Sequence, residues 1–203
     1  MSTRGRQRAE QGSAAVERIA RLRPDDLDEM QAELYARIAN GPRAQGPQHF
    51  ALTGEDGELT GPFNALLLAP ELGTALQELG AAIRYRTSLA PRAREIATLM
   101  VAADWDSAFE RLAHESLGRA AGLSEAELAG LRIGATSVLA DPIERAIAEL
   151  CRALLCGDVD DEQWRSARAV LDAAVIFELT TLVGYYATLA LQLRVFRAEP
   201  GSE

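Results

Sequence analysis

The residues best suited to chemistry in this chain are one histidine and two glutamates. Only two histidines occur in the sequence, and one of them, His114, follows Glu110 by four positions and Glu95 by nineteen. Four residues is about one helical turn, so on a helix the two side chains share a face. A carboxylate that accepts one imidazole N–H fixes the tautomer and raises the pKa, leaving the other nitrogen as a positioned acid or base. Glu95 can join them only if its helix folds back on the one that carries His114, and the polar corner Asp104–Ser107 offers a place to turn. By spacing alone, the same i,i+4 pair also suits a solvated helix surface, so both readings stay open at this point. One histidine with two carboxylates can hold a divalent ion, but with no second histidine in reach no metal is expected.

The elements that must position these residues read as helices throughout. Val16, Ile19 and Leu22 fit a short helix over Ser13–Leu22. Pro24-Asp25-Asp26 reads as a helix start, with Leu27, Met30, Leu34 and Ile38 at helical spacing and a stop at Asn40-Gly41-Pro42. Residues 41–62 carry glycines and prolines without a helical period and read as a long loop that holds His49, an ordinary loop histidine or a pocket contact. Phe63 to Leu68 begins another helix. Pro70 to Tyr85 forms the next, with Leu72, Leu76, Leu79 and Ile83 on one face. Pro91 suits the first turn of the helix that carries Glu95. Asp104 or Asp106 can cap the helix that follows, with Trp105 in the corner, and that helix stops at Gly122. Ser124 to Glu127 is a capping-box pattern, Asp141-Pro142 starts a helix through Leu155, Asp161–Leu171 gives one more, and a long apolar helix runs from about Ala173 to Phe196. No segment alternates as a strand does. The expectation is an all-α fold of about eight to ten helices, with an N-terminal extension over 1–24, one domain over 25–198 and a tail over 199–203.

Composition narrows the function classes. Hydrophobic residues make up 48% and aromatics only 5%, a helix-favouring balance rich in Ala and Leu. A formal charge of -9 argues against nucleic acid or an anionic membrane as partner. It leaves room for a small anionic substrate, because a local arginine can oppose the global field. The N-terminal segment lacks the apolar run of a secretory signal. The uncharged run Leu179–Leu193, flanked by Glu178 and Arg194, is too short to span a bilayer. Cys151 and Cys156, five apart on a helical pattern, do not point together for a disulfide and read as inert core thiols. The expected compartment is the cytoplasm.

Three runs carry a family resemblance: GPFNALLLAPELGTALQELGAAIRYRTSLAPRAREIATL, then FERLAHESLGRAAGLSEAEL, then ELTTLVGYYATLALQL. The chain resembles the carboxymuconolactone decarboxylase family, which shares its fold with the alkylhydroperoxidase D-like (AhpD-like) proteins. The similarity extends from about Leu27 to Arg197, with gaps in 41–62 and around 136–141. Its signature is a glutamate, a histidine nineteen later, AGLS, and LVGYY in the last helix. The family's peroxidase branch carries Cys-x-x-Cys seven and four residues before the histidine, where this chain has Ser107 and Glu110. Without those thiols a thiol peroxidase is not expected; a glutamate four before the histidine is similar to the decarboxylase branch.

That resemblance implies a cofactor-free decarboxylase of a small carboxylated lactone or β-keto-acid-like substrate. His114 would donate the proton, Glu110 would orient it, and Glu95 would be a second acid/base or substrate-facing group. Arg84 or Arg86 could hold a substrate carboxylate as a bidentate fork. Trp105, Tyr185 and Phe63 are candidate pocket walls. The resemblance also implies a homotrimer or homohexamer. Two other classes remain: a different proton-transfer or lactone-opening reaction in the same pocket, or a non-catalytic oligomeric binding or stress protein.

Overall fold

The computed structural model describes residues 18–45 and 50–198. The described residues form α1 (Glu29–Ala39), α2 (Pro62–Leu66), α3 (Pro70–Tyr85), α4 (Pro91–Trp105), α5 (Ala108–Ala120), α6 (Glu125–Leu131), α7 (Pro142–Cys156), α8 (Asp161–Arg168) and α9 (Ala173–Phe196). Among them there is no strand, only an isolated antiparallel bridge between Thr53 and Leu59. The all-α expectation holds.

Local chemistry explains most boundaries. Proline opens α2, α3, α4 and α7, where its missing N–H costs nothing. Side-chain caps open α1 (Asp28 with Gln31), α5 (Ser107), α6 (Ser124 with Glu127), α8 (Asp160 with Gln163) and α9 (Asp172), each accepting from backbone N–H groups that the helix leaves orphaned. Gly157, at φ 90, ends α7 in the left-handed conformation.

Helix α4 is the axis of the molecule. It packs against α5, α7 and α9 and buries Ile96, Ala97, Leu99, Met100 and Val101. Its partner α9 buries Leu179, Leu182, Leu189 and Leu193. At roughly 1.5–3 kcal/mol per fully buried large apolar side chain, these two helices hold much of the apolar driving force. A second, smaller core joins Leu34 and Ile38 of α1 to Leu52, Leu59, Phe63, Leu66 and Leu67. It ties α2 and the 50–61 segment to α1, with Leu76 of α3 packed against it.

Several expectations need correction. Residues 13–17 and His49 lie outside the described residues. Residues 18–23 are not helical, because tertiary bonds take the backbone groups a helix would use: Arg18 N donates to Phe196 O, Leu22 N to Asn64 Oδ1, and Asn64 Nδ2 to Ala20 O. Pro24–Asp26 is only a 3-10 turn, and α1 starts later, behind the Asp28 capping box. Neither Asp104 nor Asp106 caps α5. Asp106 sits in the left-handed region at φ 50 and closes α4, so the cap falls to Ser107. Helix α8 stops at Arg168, short of Leu171. Of the apolar residues placed on one face of α3, Ile83 is buried while Leu72 is 69% exposed. Cys151 is a core thiol, but Cys156 is exposed at the end of α7. Helix α9 is longer than its uncharged run and is, by length and composition, apolar enough to cross a membrane. One side of it fills the core, and Phe177, Leu191 and Val195 stay exposed on the other.

Candidate functional site

The left-handed residue Asp106 reverses the chain between α4 and α5 and lays the two helices against each other. That packing brings Glu95 to His114. Nδ1 of His114 lies 2.6 Å from Glu95 Oε2, and Nε2 lies 3.4 Å from Glu110 Oε2. All three side chains are buried, at 4%, 4% and 3% exposure for His114, Glu95 and Glu110. The imidazole is therefore clamped between two carboxylates, with the edge of Tyr186 packed at 5.0 Å. The orienting partner at hydrogen-bond distance is Glu95, across the helix pair. Glu110, to which the i,i+4 spacing assigned that role, makes the longer contact.

The electrostatics follow from this clamp. Burial pushes the imidazole down, but Tyr186, Glu95 and Glu110 together outweigh it and raise His114 to about 10. Burial pushes Glu95 up; the facing imidazolium, then Arg84 and Arg94, outweigh that and hold its carboxyl below the ordinary range. His114 and Glu95 are thus an ion pair at neutral pH, with Nδ1–H donating to Glu95. The second N–H, on Nε2, faces the space beside Glu110, where a long contact leaves it available to a ligand. Glu110 carries one further feature: its Oε1 is buried and has no hydrogen-bond partner.

His114 and Glu110 line a cleft with Arg43, Phe50, Phe63, Arg84, Phe109, Tyr185, Tyr186 and Leu189. The free space between these walls is about 10 Å³, room for about one water molecule, so a substrate must displace side chains to enter. Phe50 stacks on Phe63 at 6.3 Å and meets Phe109 edge-on at 5.4 Å, so one wall is aromatic. The Arg43 guanidinium lies over Phe63 at 4.8 Å. Arg84, the other cation, is half-buried; burial lowers its pKa, but Tyr186 and Glu95 outweigh that and raise it, and it enters no salt bridge among the described residues. Burial pushes the Tyr185 phenol up and keeps it neutral.

Of the residues singled out in the sequence, His114, Glu95, Glu110, Arg84, Phe63 and Tyr185 come together here. Arg86 and Trp105 do not line the cleft. Arg86 is exposed at the C-terminal cap of α3, and Trp105 packs beneath Arg194, 5.5 Å from its ring. Arg43, Phe50, Phe109 and Tyr186 are cleft residues that sequence reasoning missed. Tyr186 stands beside Tyr185 in the LVGYY run and could have been found there. Arg43 and Phe50 sit on a segment whose path no periodicity predicts.

No family model matches the chain, and no curated protein is significantly similar. Solved structures are. A peroxidase-related protein from Ralstonia eutropha JMP134, described as an alkylhydroperoxidase AhpD core, superposes with a TM-score of 0.72 at 11% identity, covering 94% of this chain and 95% of that one. A protein of unknown function from Agrobacterium tumefaciens, described as a candidate antioxidant defence protein AhpD, gives a TM-score of 0.62 at 22% identity, covering 69% of this chain and 97% of that one. The chain has the AhpD-like all-α fold.

Proposed function

We propose that the protein is a cofactor-independent decarboxylase of a small carboxylated lactone or β-keto-acid-like substrate, with His114 as the proton donor. The observation that carries this reading is a buried, doubly clamped imidazolium that opens onto a cleft holding Arg84. Departure of carbon dioxide leaves its bonding pair in the conjugated carbonyl as an enolate. Arg84 and the imidazolium oppose that developing charge in a site shielded from water. Nε2–H of His114 then delivers a proton to the carbon that lost the carboxylate, and the imidazole recovers a proton from solvent. General acid catalysis of this kind contributes about 10²–10⁴-fold.

The solved neighbours bear antioxidant or peroxidase-related descriptions, but such chemistry on this scaffold requires thiols that this cleft lacks. Ser107 and Glu110 occupy the positions in question, and neither cysteine lines the cleft. Burial pushes the Cys151 thiol up to about 12, so it carries essentially no thiolate at neutral pH. The family resemblance is what supports a homo-oligomer, a trimer or hexamer, and the cytoplasm is the compartment we assign.

The test is carbon dioxide release from carboxymuconolactone and a panel of carboxylated lactones and β-keto acids, comparing wild type with His114→Gln. Release by wild type that falls by at least about 10²-fold in the variant supports the proposal. No release from any member of the panel sinks it.

A further inference from the structure

The outer face of α9 carries a seam. Phe177, Thr181, Gly184, Thr188, Leu191 and Val195 follow one another at alternating steps of four and three residues, the spacing by which one helix meets another along its length. At about 1.5 Å per residue the seam runs for about 27 Å. None of these residues is buried, and Phe177 is 72% exposed. The seam asks for no polar partner, because the Thr181 hydroxyl donates to Phe177 O and the Thr188 hydroxyl to Gly184 O, both within the helix. It is also free of charge. Glu178 and Arg194, which flank it, are held by their own chain, Glu178 by the N–H and hydroxyl of Ser88 and Arg194 by the Trp105 carbonyl. An apolar strip with such a polar rim marks a contact surface.

The order of the residues says what covers it. When two copies of α9 lie antiparallel, a single register places every seam position in a layer: Phe177 against Val195, Thr181 against Leu191, and Gly184 against Thr188. Each layer sets a larger side chain against a smaller one, and the smallest pair falls next to the midpoint, where the backbones must approach most closely. A seam without charge cannot choose a partner by opposite charge, whereas one that complements its own reverse fits a second copy of itself. We propose that α9 pairs antiparallel with α9 of a second copy about a twofold axis, an isologous contact. This inference is independent of the reaction the cleft performs. It commits the protein to a dimer or to a hexamer that contains twofold axes, because a trimer has none. Tyr185, Tyr186 and Leu189 of the cleft stand on the buried side of the same helix, so the contact backs the cleft wall.

Gly184 allows a test that spares the fold. A methyl added there would meet no heavy atom within 4 Å, and leucine suits a helix better than glycine does. Gly184→Leu is therefore expected to keep wild-type helicity by circular dichroism while blocking the close approach. Sedimentation velocity of the full-length protein over a series of concentrations is expected to show an even-numbered wild-type assembly, and half that subunit number in Gly184→Leu. Phe177→Lys and Val195→Glu test the register. Each alone is expected to lose the contact, and their equimolar mixture to regain it, since a mixed pair has one layer of opposite charges and one layer unchanged. A wild-type protein that is monomeric or trimeric at every concentration overturns the proposal. So does an assembly that Gly184→Leu leaves intact, or a mixture of the two charged variants that stays apart. A monomer that instead cosediments with phosphatidylcholine vesicles, and loses this in Phe177→Lys, assigns the face to a lipid surface and overturns it as well.

Discussion

Replacing Glu95 by glutamine keeps the side-chain shape and removes the charge that faces His114 Nδ1 across 2.6 Å. Breaking a buried pair by removing one partner's charge costs about 3–5 kcal/mol, and here no nearby group can substitute for Glu95 at that nitrogen. The loss should depend on pH in a definite direction. The His114 pKa is raised in the folded protein from 6.5 to about 10. Its contribution is therefore fully present below the unfolded value and is lost as pH rises through the folded one. Across that window the unfolded state binds up to one proton fewer than the native state, so wild-type stability should decline by up to about 1.4 kcal/mol per pH unit from this group. Glu95 has the opposite sign: its carboxyl is depressed, so its contribution is lost only at acid pH, below the ordinary carboxylate range. The assay is urea unfolding of wild type and Glu95→Gln at matched protein concentration from about pH 6 to about pH 10. The difference between the two should be largest near neutrality and shrink toward the alkaline end. A difference under about 1 kcal/mol at neutral pH would refute the buried pair, as would one that stays constant across the window.

Three further outcomes follow from the packing. Gly80→Ala would gain up to about 1 kcal/mol of helix propensity, yet its new methyl overlaps the Tyr185 hydroxyl; a net loss of about 1–3 kcal/mol in thermal or urea unfolding is expected. Leu179, fully buried on α9, should cost about 2–5 kcal/mol when cut to alanine, measured the same way. Cys156 should react with a thiol reagent in the native protein while Cys151 reacts only on unfolding, and a double cysteine-to-serine variant should keep its carbon dioxide release.

How much of this was legible in the sequence depends on whether the determinant was local. The bounds of α3, α4 and α9 follow from prolines, caps and apolar runs next to the residues they govern, and α9 begins and ends where its pattern does. The pairing of His114 with Glu110 is also local, a single helical turn. The closer pairing with Glu95 is not. It depends on Asp106 adopting a left-handed turn, and nothing in the composition of Asp104–Ser107 chooses between that turn and a longer corner. The same holds at the N-terminus, where Asn64 takes the backbone groups of Ala20 and Leu22 from across the fold, overriding an apolar spacing that reads as helix. Trp105 shows the converse error: an aromatic near the site was read as a wall, while the aromatic wall is built from Phe50, Phe63 and Phe109. Phe50 packs against the small core around Leu52, Leu59 and Ile38, and Arg43 lies over Phe63 of that core, tertiary facts with no periodic signature.

The decarboxylase reading depends on His114 carrying two protons at neutral pH, so the most direct measurement is nitrogen NMR of the imidazole side chains. With two histidines in the chain, a single His114→Gln spectrum assigns both. The account predicts that both His114 ring nitrogens are protonated at neutral pH and stay so until pH approaches 10. A neutral tautomer at His114 at neutral pH would contradict it, for the site would then hold a base where decarboxylation needs an acid.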